Sequence, residues 1–64
     1  MNSEIEGIKS QIEILAERVA DLTLHELREN LDAGGEKASA KEKQLARARR
    51  SLEKAAHILS GLDD

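Results

Sequence analysis

The chain contains no cysteine, no proline and no aromatic side chain in its 64 residues. The lack of cysteine excludes a disulfide framework and weakens any case for a structural metal site. The lack of aromatics removes the large side chains that fill small cores, and with them the flat rings on which unpaired bases stack. Without proline, nothing in the covalent chain interrupts a helix. No run approaches the ~20 apolar residues of a membrane span, and no basic-then-apolar segment opens the chain. A cytoplasmic protein without membrane insertion is therefore expected. One small domain, residues 1–64, is the most that this length can form, and with disulfides absent the remaining way to stabilise it is association.

Two apolar stripes are present in their place. Ile5, Ile8, Ile12, Leu15, Val19 and Leu22 follow a 3-4-3-4-3 spacing, and Leu45, Ala48, Leu52, Ala55, Leu59 and Leu62 repeat it. That is the spacing of one helical stripe facing a partner helix. Gly34-Gly35 separates the two halves and suits the left-handed cap that ends a helix. Ser3 followed by Glu6, and Ser39 followed by Glu42, read as capping boxes at the two helix starts. Gly7 costs about 1 kcal/mol relative to alanine inside the first helix. The expected fold is all-α: an antiparallel two-helix hairpin, coiled-coil-like and completed by association. Its first helix spans about 4–32, its turn 33–38 and its second helix about 39–60. Folding back at the glycines pairs Leu22 with Ala48, Val19 with Leu52, Leu15 with Ala55, Ile12 with Leu59 and Ile8 with Leu62. Leu15, Val19, Leu52 and Leu59 should be among the most protected side chains.

Charge divides between the halves. Residues 1–33 carry eight acids and three bases, a balance of −5, whereas residues 34–64 carry seven bases and five acids, a balance of +2. Opposite charges flanking an antiparallel seam explain this division, each exposed pair contributing about 0.2–1 kcal/mol. A phosphate-binding face of Lys37, Lys41, Lys43, Arg47, Arg49, Arg50 and Lys54 is the competing account. A net charge of −3 and the lack of aromatics count against it, so nucleic acid is not the expected partner. His25 and Glu29 have helical i, i+4 spacing, but two histidines without cysteine make a poor metal-ligand set, and both project from the polar side. No serine has a nucleophile's context, and Gly34-Gly35 is followed by charged residues instead of a phosphate-loop pattern. No catalytic, cofactor-binding or metal-binding residue is assigned, and no enzyme is expected.

The apolar residues left outside the seam point to binding. After Leu22 the stripe of the first helix rotates by roughly a right angle at 100° per residue, leaving Leu24, Leu27 and Leu31 as an i, i+3, i+7 set on another face. Ile14 lies off the stripe, and Ile58 flanks it on the second helix. Leu24, Leu27, Leu31, Ile14 and Ile58 are the candidate partner-binding residues, with Leu27 shared between seam and partner. The run Leu27-Arg-Glu-Asn-Leu-Asp-Ala-Gly-Gly35, the second-helix segment Ser51-Leu-Glu-Lys-Ala-Ala-His-Ile-Leu59 and the late Gly61 together resemble the small co-chaperones of type III secretion needle subunits, the YscE and PscE type. The likeness covers nearly the whole chain. It implies a helical hairpin that binds a tetratricopeptide-repeat chaperone, the pair keeping the needle subunit soluble and monomeric before export. Two other classes are compatible with a capped hairpin: a self-associating four-helix bundle of the Rop type that modulates RNA, with a weak echo in Leu24-His25-Glu26-Leu27, and a small helical subunit of a larger enzyme. Alone, the chain is expected to be marginally stable or self-associated.

Overall fold

A computed structural model describes residues 3–62. Helix α1 spans Ser3–Asp32 and helix α2 spans Ala40–Ser60, and the two pack against each other as an antiparallel hairpin. The observed ends lie within a residue of the expected ones. Ser3, expected as the cap before α1, is instead the first residue of the helix itself.

The turn is built by backbone chemistry that the sequence announces. Gly34 has φ +86°, a conformation that other residues enter only with strain. Its N–H donates to Leu31 C=O at 3.0 Å, and Gly35 N–H donates to Asn30 C=O at 2.8 Å. This is the paired pattern of a Schellman cap, which satisfies carbonyls that the end of α1 would otherwise leave open. Gly35 is needed for a different reason: a Cβ there would collide with the Asn30 side chain. At the head of α2, Ser39 Oγ accepts the Glu42 N–H at 3.1 Å, while the Glu42 Oε2 accepts the Ser39 N–H, completing the expected capping box.

Asn30 ties these two caps together. Its Nδ2 donates to Lys37 C=O at 2.7 Å and to Glu42 Oε2 at 3.2 Å. Lys41 Nζ lies 2.9 Å from Glu26 Oε1, a second link between the helices at this end. These contacts fix the register. Two heptads back from Asn30 stands Ala16, and two heptads on from Glu42 stands Ala56. Both alanines are only 6% exposed, as expected where two helices approach most closely.

That register moves the seam away from its expected position. Ile5, Ile12, Val19, Leu45, Leu52 and Leu59 are half-buried, as anticipated, and so is Ala55, but the rest of the second row of each stripe is not in the seam. Ile8, Leu15 and Leu22 are 45%, 44% and 44% exposed, and Ala48 and Leu62 are exposed too. Leu15 is therefore not among the protected side chains. Its place is taken by the row one residue further on, Lys9, Ala16, Thr23 and Asn30, which are buried or half-buried. A helix pair can point only one narrow band of each helix at the other, and small residues in that band let the axes come together. The hydroxyls of this band need no partner across the seam: Thr23 donates to Val19 C=O at 2.8 Å and Ser60 to Ala56 C=O at 3.1 Å.

Candidate protein-binding face

The displaced rows lie together on one side of the hairpin. Ile8, Leu15 and Leu22 each lie three residues after Ile5, Ile12 and Val19, and Ala48, Ala55 and Leu62 each lie three residues after Leu45, Leu52 and Leu59. Three residues turn a helix by about 60° short of a full circle. Since α1 and α2 run in opposite directions, this same rotation carries both rows to the same side of the seam. One side of the hairpin is thus an apolar face, with exposed Ile8, Leu15 and Leu22 along one helix, exposed Ala48 and Leu62 along the other, and Ala55 and the half-buried seam residues on its floor. No large apolar side chain among the described residues is fully buried.

The opposite side differs in chemistry. There Lys9, Glu13, Glu17, Arg49 and Glu53 border an open groove floored by Ala16, Ala20 and Ala56. The hairpin is amphipathic as a whole, apolar on one side and charged on the other. Arg49 Nε lies 3.6 Å from Glu53 Oε2 on this side, and both side chains are half in solvent, so the pair contributes little.

The residues chosen from sequence are all exposed but do not form one patch. Leu24 and Leu27 line a shallow recess with Thr23, Ala46, Arg49 and Arg50 on the charged side near the turn, and Leu31 continues their strip by helical spacing. Ile14 projects from the back of α1, away from α2. Ile58 belongs to the edge of the apolar face, beside Ala55 and Leu62. Ile8, Leu15, Leu22 and Leu62, which the sequence reading assigned to the seam, are exposed as well. The sign of the true seam was the row Ala16, Thr23 and Asn30, whose small and polar side chains are poor candidates for a core until Asn30 and Glu42 are seen to pair.

The basic residues do not converge on a site. Arg47 Nη1 donates to Gln44 Oε1 at 3.2 Å, Lys41 pairs with Glu26, and Arg47, Arg50 and Lys54 lie together on the outer surface of α2. His25 Nε2 lies 3.2 Å from Glu29 Oε1 in the open. No group of three His, Cys, Asp or Glu side chains able to hold a metal occurs among the described residues, and no helix among them is long and apolar enough to cross a membrane. No protein-family model matches the chain, and no curated protein or solved structure is significantly similar to it.

Proposed function

We propose that this chain is a non-enzymatic protein-binding module that works by offering the apolar side of a helical hairpin to helical partners. One observation carries this reading: Ile8, Leu15 and Leu22 stay more than two-fifths exposed while the buried apolar residues among those described are the alanines Ala16 and Ala56. A surface of that kind is stabilised in water when something covers it. A narrower form follows the type III secretion resemblance. In it, the chain is a cytoplasmic co-chaperone that binds a tetratricopeptide-repeat chaperone and helps to keep a needle subunit monomeric, with Leu24, Leu27 and Leu31 as an added contact strip.

The test compares two double variants, Leu15→Glu with Leu22→Glu and Arg47→Glu with Arg50→Glu. Association, read by sedimentation and by fluorescence of a dye that reports exposed apolar surface, should be lost in the first and nearly unchanged in the second. If the arginine pair proves essential and the leucine pair dispensable, the ligand is electrostatic and the proposal is wrong. The narrower form is tested by calorimetry against a purified tetratricopeptide-repeat needle chaperone, where Leu24→Glu with Leu31→Glu should abolish the heat of binding.

A further inference from the structure

Resting on that reading, we infer that the occupant of the apolar face is a second copy of this chain. The two hairpins are related by a two-fold axis parallel to the helices, so that α1 of each copy lies over α2 of the other. Area is the first argument. The backbone extends 50 Å by 14 Å, so one whole side of the hairpin, the apolar rows together with their polar rim, measures roughly 700 Å² and approaches the ~800 Å² that each partner contributes to an ordinary stable interface. A second copy supplies a face of the same area and the same apolar character.

Side-chain size chooses the symmetry. The α1 row of the face is large throughout, Ile8, Leu15 and Leu22, whereas the α2 row is small over most of its length, Ala48 and Ala55. The Asn30–Glu42 contact sets Leu22 at about the level of Ala48 and Leu15 at about the level of Ala55. Rotation about an axis along the hairpin lays each leucine over an alanine of the second copy and keeps all neighbouring helices antiparallel. A two-fold axis across the helices would instead stack α1 on α1 and α2 on α2. Leucines would then crowd leucines, and alanines would face a void; both defects are unfavourable in a packed core. The rim is compatible with the first arrangement. By helical angle Arg18 and His25 border the face on α1, and they would approach the uncharged Ser51 and Gln44 of the second copy. Ile58 would be covered, while Leu24, Leu27 and Leu31 would remain outside, near two turns placed at the same end of the bundle.

The chain has no native cysteine, which makes the arrangement directly testable. Sedimentation equilibrium of the unmodified protein should give twice the 7.0 kDa monomer mass, dissociating on dilution. Leu22→Cys and Ala48→Cys chains, mixed under mild oxidation with circular dichroism to verify folding, should form a mixed disulfide several-fold in excess of either self-disulfide. Preferential Leu22–Leu22 linkage would overturn the symmetry. A monomer at every concentration would overturn the second copy as occupant. If that monomer binds an apolar dye, and Leu15→Glu with Leu22→Glu removes the binding, the face still serves a different protein. A monomer that binds no dye and melts cooperatively would remove the docking face as well.

Discussion

Replacing Asn30 by alanine should weaken the hairpin more than any other single polar change, because this one side chain joins the end of α1, the loop and the cap of α2. The amide donates to Lys37 C=O at 2.7 Å and to the Glu42 carboxylate at 3.2 Å. A neutral hydrogen bond contributes about 0.5–1.5 kcal/mol net and one to a charged group about 1.5–3. Asn30 is half-buried, so solvent competes and the lower ends apply, giving a loss of about 2 kcal/mol. Alanine recovers about 0.5 kcal/mol through its better helix propensity. Glu42 then adds to the cost: it is only 5% exposed, its Oε1 has no partner, and losing Asn30 leaves Oε2 with the Ser39 N–H alone. The expected net change is about 1.5–2 kcal/mol, or a fall in Tm on the order of 6–15 °C for a domain of this size. Urea unfolding followed by circular dichroism at one fixed protein concentration measures it. Asn30→Ala, Glu42→Ala and the double variant form a cycle whose coupling should exceed about 0.5 kcal/mol. Additive effects, or an Asn30→Ala protein as stable as the original, would refute the account of the turn as a linked pair of caps.

Two further predictions concern the backbone and the seam. Gly34→Ala meets no side chain, so its cost is conformational alone, about 1 kcal/mol after the smaller entropy of the unfolded alanine chain is subtracted; thermal melts at matched concentration check this. At dilutions where the protein is monomeric, Ala16→Leu should destabilise by about 1–3 kcal/mol by overfilling the close approach to Ala56, and Leu15→Ala by less; the reverse order in urea titrations would restore Leu15 to the seam.

The elements of this fold were legible in the sequence because each has a local cause. Heptad spacing gives the helices, Ser39 with Glu42 gives a start, and Gly34-Gly35 gives a stop; all depend on residues within one or two turns of each other. Which side of each helix faces the other was not legible from hydrophobicity. The stripe Ile5 to Leu22 has two rows, and either one could have pointed inward. The choice depends on Asn30 reaching Glu42 and on Ala16 meeting Ala56, contacts between residues twelve or more apart whose side chains carry no apolar signal.

The same rotation leaves a second exposed apolar row beside the residues that the sequence offered for binding. Reading Ile8, Leu15 and Leu22 as core left Leu24, Leu27, Leu31, Ile14 and Ile58 as the candidate partner-binding residues. With small residues drawing the helices together, the large ones are displaced to the side, and the chain carries its strongest apolar row where the hairpin cannot use it. Helices this long and this poor in interior contacts derive their stability from tertiary packing more than from propensity. A face that is open in the single hairpin is therefore also the missing part of its core. Anything that covers Ile8, Leu15 and Leu22 would add its binding free energy to the stability of the hairpin, which would couple association to folding.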